Sequence, residues 1–388
     1  MPPVVENSFD VQEEAIDKAF PYTWDIIKQS RKQNDGRSVL DIKLLELLRN
    51  FKSDNLFIDV DGYAKKPGLV CVFALSDEAV YVNQFAGKEQ LLIELTGLIV
   101  IFDWEAKKLI TSLPVSFEKT YVPDEDTRSN LVFKQHTDSE GGLLGYMVEA
   151  LAKDVFLPSK SNRAKSVGVG KVELENPALV DDAGSPILPL KYQTELGQEE
   201  FKSFVANRFL SYLSSNQSVS VVPYSSRENT NGKREIGLLP NGADMALRME
   251  TGSSKLLTLE IPEGNYLVDI TVRRFLAQTT LEKPAEKHVD HATFIALRAY
   301  LPDNQSVGIE YFNEKIYNNY PMIVANGSSY SKWDVYRNLL LSLLAQFSQQ
   351  LEEPERKWCK EHGNKDLRSN MKIFTKKIIE SCHNKNYF

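Results

Sequence analysis

The chain has 388 residues, 42% of them apolar and 26% charged, which is enough for more than one packed core and for two domains of ordinary size. Its net charge of −7 argues against a general nucleic-acid binder, because holding a phosphate backbone needs a basic surface. It contains no apolar run of about 18 residues, so no membrane-spanning helix is expected. The opening Met1-Pro2-Pro3-Val4-Val5-Glu6 lacks the basic and apolar regions of a signal peptide, which leaves open a cytosolic protein or one whose export signal was removed.

Along the chain, Asp10-Val11-Gln12-Glu13 has the capping-box pattern and opens a helix to about residue 20. Pro21 is placed to start another, carrying Trp24 and Ile27. Ser38 caps a third, with Leu40, Leu44, Leu45, Leu48 and Phe51 on one stripe. Strands are expected at residues 56–60, 68–75 and 79–82, followed by a long hairpin. Its first strand, residues 91–102, turns through residues 103–108 into residues 109–121. A helix near residues 140–155 follows, capped by Thr137-Asp138-Ser139-Glu140, with Leu143, Leu144, Met147, Val148, Leu151 and Val155 on one face.

Residues 157–163 are polar, contain Pro158 and lack periodicity, and they read as a domain boundary. Beyond them come a strand at 166–174, a Pro/Gly-rich loop to about residue 190, a helix at 197–213 and a short strand at 218–223. Residues 225–244 read as loop, and strands return at 255–261 and 266–278 around the turn Pro262-Glu263-Gly264-Asn265. A second hairpin, residues 293–301 and 306–317 around Pro302-Asp303-Asn304-Gln305, leads to a helix at 331–351. Its stripe of Trp333, Tyr336, Leu340, Leu343, Leu344, Phe347 and Leu351 reads as core against a sheet.

The two hairpins repeat one pattern. Their returning strands end in Glu118-Lys119-Thr120-Tyr121 and Glu314-Lys315-Ile316-Tyr317, 196 residues apart, and each is followed by an amphipathic helix. The expected fold class is therefore α+β: two tandem related domains, each a mixed β-sheet with a long hairpin covered by helices. The domains are residues 1–157 and 164–352, with a helical tail at 353–388. That tail holds nine Lys/Arg and five Asp/Glu, a net of +4, which leaves −11 on the rest. A solvated helical face against the protein's own acidic body is the plain reading, and docking on an acidic partner or an anionic lipid surface is the other.

Most catalytic signatures are absent: there is no P-loop, no HExxH and no nucleophile elbow. Gly168-Val169-Gly170 begins like a dinucleotide fingerprint, but Glu173 stands where the third glycine belongs, and the segment reads as a strand. Asp59-Val60-Asp61-Gly62 lacks the further oxygens of a calcium loop. His288-Val289-Asp290-His291 sets two of five histidines beside an acid, but it reads as a loop in which they diverge. Arg273-Arg274 interrupts an apolar strand, so one of the two is expected to point toward the packed face and pair with an acid. Tyr317, Tyr320 and Tyr330, near a loop at 322–329, are candidates for an interaction surface. Cys71 reads as a buried hydrophobe; Cys359 and Cys382 are either a disulfide of an exported protein or two free thiols. Asn216, Asn304 and Asn326 head Asn-x-Ser sequons that matter only in a secreted eukaryotic protein.

The order of elements over residues 167–351, and the phrase Ile99-Val100-Ile101-Phe102-Asp103 through Lys108-Leu109-Ile110-Thr111-Ser112, resemble an α/β domain of bacterial periplasmic assembly factors. That group includes the curli secretion lipoprotein, the N-terminal domain of the Tol translocation protein, the outer-membrane activators of penicillin-binding proteins and flagellar assembly protein T. The resemblance implies a non-enzymatic component of an envelope machine that binds other proteins, periplasmic or otherwise extracytoplasmic. It carries no catalytic, cofactor-binding or metal residues, and the lipidated N-terminal Cys of the lipoprotein members is lacking unless it was cut away. The expected partners are proteins, envelope components among them, with no nucleic acid, and oligomerisation is left open. The alternatives are an enzyme of unfamiliar type with a cleft between the domains, for which His288, Asp290 and His291 are the first suspects, and a secreted effector or cytoplasmic regulatory protein that docks through its basic tail.

Overall fold

The computed structural model describes residues 20–34, 37–52, 69–85, 88–103, 108–122, 127–138, 142–152, 165–175, 186–224, 248–250, 256–258, 264–303, 306–325 and 331–382. The helix expected from Asp10, the strand at 56–60, the Asp59/Asp61 pair, the boundary at 157–163 and the loop at 225–244 lie outside these residues. The chain is α+β and divides into two units, Met1–Leu157 with Asn229–Glu260, and Pro158–Glu228 with Ile261–Phe388.

In the first unit, strands β1 (Leu69–Phe85), β2 (Lys88–Asp103) and β3 (Lys108–Tyr121) pair antiparallel in chain order. The hairpin runs in register from Leu91↔Tyr121 to Ile101↔Thr111, as its alternation requires, and shifts by one residue before it closes at Asp103↔Lys108. The two strands expected at 68–75 and 79–82 are one strand: a bulge between Leu75 and Asp77 absorbs the polar break. Four helices supply the other layer: α1 (Pro21–Gln33), α2 (Val39–Asn50), α3 (Arg128–Thr137) and α4 (Leu143–Ala152). Leu91, Ile93, Leu95, Ile99 and Ile101 of β2 form one core with Ile27, Leu40, Leu131, Val132, Leu143 and Met147 from the helices. The Met147 thioether lies where Gly97 would carry a Cβ, so the glycine lets α4 approach the sheet. Two short strands, β6 (Arg248–Glu250) and β7 (Leu256–Thr258), pair antiparallel.

Helix α3 was not expected, and the single helix anticipated at 140–155 is the shorter α4. Thr127, whose Oγ1 accepts from the Asn130 N–H at 3.3 Å, is the cap, while Thr137 ends α3. The buried face of α3 is Leu131, Val132, Gln135 and His136, half of it polar, so apolar periodicity does not reveal it.

The second unit orders its strands β5 (Ser220–Val221), β4 (Ser166–Leu174), β8 (Tyr266–Glu282), β9 (Glu286–Asp303) and β10 (Ser306–Ala325). Strand β4 runs parallel to β5 and β8, and β8, β9 and β10 run antiparallel. The parallel strands have no counterpart among the described residues of the first unit, whose sheet is antiparallel rather than mixed. What the units share is the hairpin followed by helices. Helix α5 (Glu195–Gln217) starts at Thr194, whose Oγ1 accepts from the Gly197 N–H, and α6 (Lys332–Gln350) starts at Ser331. Both pack on one face of the sheet. Phe347 of α6 meets Phe209 of α5 at 6.5 Å and Phe312 of β10 at 5.6 Å between ring centroids.

The tail belongs to this core. Helices α7 (Arg356–His362) and α8 (Leu367–Phe374) follow α6, and α8 continues through a π turn, Thr375–Ile379, into a last turn, Glu380–Cys382. The wider π turn lets the adjacent Ile378 and Ile379 both be buried. Phe374 sits edge-on to Phe312 and Phe347 at 5.4 and 6.1 Å. Cys359 and Cys382 are buried free thiols, with the Cys359 Sγ 4.0 Å from the Met371 Sδ, and burial pushes the Cys382 thiol up to about 12.

Two stability changes are expected. Ser218, the C-cap of α5, is exposed and holds φ at 51° in the left-handed region. Ser218→Gly is expected to raise unfolding stability by about 1 kcal/mol. Phe374→Ala is expected to lower it by roughly 3–5 kcal/mol. Urea unfolding midpoints measure both.

Candidate interaction surface

The residues that the sequence brings forward do not converge. His288 and His291 lie in β9, not in a loop, and strand alternation sends them to opposite faces of the sheet. His291 is buried edge-on against Tyr336 at 5.6 Å, and burial holds its imidazole below the usual range. The His288 Nε2 lies 3.3 Å from Glu286 Oε1 on the other face. Among the described residues no three His, Cys, Asp or Glu side chains gather to hold a metal ion. Gly170 makes room inside the sheet: a Cβ there would stand 2.6 Å from both Asp269 Oδ1 and the Tyr300 hydroxyl, which are hydrogen-bonded at 3.1 Å. Burial raises the Asp269 carboxyl, and the Tyr300 O–H opposes that rise.

Neither arginine of the 273–274 pair enters the packed face. A bulge between Val272 and Arg274 inserts one extra residue, so both stay out. Arg273 grips Glu175 with two nitrogens at 2.9 and 3.0 Å, and Arg274 lies over the Phe294 ring at 4.9 Å. Phe294 stacks on Tyr317 at 5.7 Å. These residues share the face of the sheet turned away from α5 and α6, and there Arg298 also bonds Glu310 at 2.6 Å. The charges of this face are thus largely paired with one another. Asn216 is held in α5 by a 2.6 Å bond from its amide to the Ser348 Oγ.

The edge of the same sheet is different. The segment expected as loop from residue 322 is strand to Ala325, and Tyr330 lies outside the described residues. Strand β10 is the outermost strand of the unit's sheet, and an edge strand directs every second residue's backbone groups outward. The phase is fixed by the tail: the His362 Nδ1–H donates to the Tyr317 carbonyl at 2.8 Å, so Tyr317 faces out. Asn364 Nδ2 donates to Glu314 Oε2 at 2.6 Å, and Asn370 Nδ2 to Glu314 Oε1, completing the cover over that part of the strand. With no register shift from Phe312 to Ala325, the next outward residues are Asn319, Pro321 and Ile323. No hydrogen bond occupies the outward groups of these three among the described residues. Ile323 and Tyr320 are 62% and 54% exposed, and register carries Ile323 across His288 to the exposed Leu281. Pro321 has no N–H to offer, so the open edge presents donors at 319 and 323 only.

A second polar constellation, which the sequence did not disclose, ties the first unit together. Glu78 of β1 accepts the Tyr22 and Thr23 N–H groups at 2.9 and 2.8 Å, a carboxylate at the positive end of α1 where Pro21 starts the helix. The Thr23 hydroxyl also bonds Glu78, and a carboxylate only accepts, so the Thr23 oxygen accepts from the His136 Nε2–H at 2.7 Å. Burial raises the Glu78 carboxyl and lowers His136 to about 3. The group is shut off from solvent, which suits a lock between β1, α1 and α3 and not a reaction. Its only sequence signal is an acid in an apolar strand, and that acid falls in the break read between two strands.

No family model and no curated protein matches the chain. Among solved structures, the crystal structure of lipopolysaccharide binding protein aligns over 86% of this chain and 87% of that one, at 8% identity and a TM-score of 0.10, too low to support a comparison of folds.

His136 makes stability depend on pH. Its folded value lies below its unfolded value, so between about 6.5 and 3 the unfolded chain binds a proton that the folded chain does not. Stability from this group is complete above the upper limit and falls by about 1.4 kcal/mol per pH unit below it. Glu78, raised on folding, acts with the opposite sign. In His136→Gln, whose amide still reaches Thr23, the acid-side loss is expected to shrink by about 2 kcal/mol at pH 5, read as the difference between the two urea curves.

Proposed function

We propose that the protein is a non-enzymatic binding component that docks an extended segment of a partner protein along the open edge of β10. The observation that carries this is the run of outward backbone groups at Asn319, Pro321 and Ile323 with no bond to any described residue, flanked by exposed Ile323 and Leu281. Main-chain pairing supplies affinity in such a complex, and alternate side chains supply selectivity. Symmetric pairing of two copies about residue 321 would set Pro321 against Pro321 and waste both positions, so the edge favours a strand from a different protein. The setting we propose is an assembly of the bacterial envelope; the resemblance of the residue 99–112 hairpin to periplasmic assembly factors supports it.

The test exploits Pro321. Since the strand already holds a proline at an outward position, Asn319→Pro and Ile323→Pro remove no hydrogen bond internal to the sheet. Crosslinking from native cells through a photoreactive side chain at Leu281, read by mass spectrometry, is expected to mark one segment of one partner. The double proline variant, folded by circular dichroism, is expected to bind that partner roughly 30-fold more weakly. A partner that binds both forms equally would overturn the edge reading.

A further inference from the structure

The apolar side of the tail is committed to the core: Trp358, Leu367, Met371, Phe374, Ile378 and Ile379 are buried. Its other side is therefore fixed in place and faces solvent. Arg368 and Lys372 stand one turn apart on α8, Lys376 and Lys377 follow in the π turn, and the exposed Glu380 lies beyond them. Lys365, Lys377 and, on α7, Lys360 extend the exposed basic area. Lys360, Lys365, Lys372, Lys376 and Lys377 have no ion-pair partner among the described residues; the one pair recorded in the tail, Lys357 with Glu361, is long at 4.0 Å. This is unusual placement for a chain of net charge −7, whose acids outnumber its cations elsewhere. Amid the cations stands Ile373, 44% exposed.

We infer that this face of α8 is a docking surface for an anionic lipid bilayer. Three features select a bilayer over an acidic protein. The helix from Leu367 to Cys382 runs for about 24 Å with its apolar side buried, so its cations are spread along an extended solvent-facing side. Lys360, Lys365, Lys372, Lys376 and Lys377 are long, exposed side chains that can reach headgroups, where each adds binding to a negatively charged surface, while Arg368 is held by its Nε–H bond to the Pro354 carbonyl at 2.8 Å. Ile373 adds an apolar side chain between them, suited to the boundary between headgroups and acyl chains. Docking of this kind is peripheral, and no helix among the described residues is long and apolar enough to cross a membrane.

Deleting the tail would remove Phe374 and its neighbours from the core, so the test uses substitutions on the exposed face only. The full chain is sedimented with vesicles of 70% phosphatidylcholine and 30% phosphatidylserine, and with vesicles of phosphatidylcholine alone. Binding is expected to the first and not the second, and to be abolished by 0.5 M salt, roughly the ionic strength at which surface attraction is screened within a few ångströms. Lys372→Gln is expected to lower the partition coefficient roughly fivefold, and Lys365→Gln, Lys372→Gln, Lys376→Gln and Lys377→Gln together by more than about a hundredfold. Ile373→Ser is expected to weaken binding with the charges intact. No binding to the anionic vesicles, or binding that the quadruple variant keeps, would overturn the inference. So would soluble polyglutamate that binds the chain as tightly as the vesicles do, since that outcome assigns the face to an acidic polypeptide. The β10 edge is untouched in every variant, so partner capture there succeeds or fails independently.

Discussion

One side chain holds the second unit's layers together. Phe347 faces Phe209 from α5, Phe312 from β10 and Phe374 from α8, so one ring joins two helices, the sheet and the tail. Aromatic rings in such clusters bury large areas and prefer tilted or edge contacts, which fix the approach of each element as well as its proximity. The position of α6 on the sheet follows from this cluster, and so does the tail's. With Phe374 pinned, α7 and α8 lie against β10, and His362, Asn364 and Asn370 reach the strand. The core thereby decides how much of the sheet edge is covered and how much is left open.

The first unit solves a different problem, the joining of a helix N-terminus to a sheet without leaving its N–H groups unpaired. Glu78 takes two of them, and the bulge beside it gives β1 the residue count to continue past the site. A buried acid is costly unless several donors converge on it. Here two backbone donors and one hydroxyl do, and the hydroxyl passes the connection on to His136.

The hairpins and the long stripes of α5 and α6 were legible in the sequence because one residue type, apolar, recurs there at the period of one element. Helix α3 was not, since its buried face uses Gln135 to reach the Ile93 and Phe117 carbonyls and His136 to reach Thr23. Polar groups that satisfy each other look like surface residues until their partners are known. The stretch from His288 to His291 misled for the same reason: Val289 and His291 are the inward positions of a strand whose outward positions are His288 and Asp290. The open edge could not be read at all, because which backbone groups face out depends on strand order and on where the tail's His362 lands.

The π turn in the tail has a consequence for thiol chemistry. It holds one residue more than an α-helical turn would, so its five residues turn the chain about as far as four do in an α-helix. The extra residue is absorbed there, and Cys382 stays on the buried side of the helix with Phe374 and Ile378. Burial pushes the enclosed thiol up to about 12, which keeps its nucleophilic thiolate scarce. Deleting one residue between Thr375 and Ile379 would leave a regular α-helix with Cys382 still turned inward.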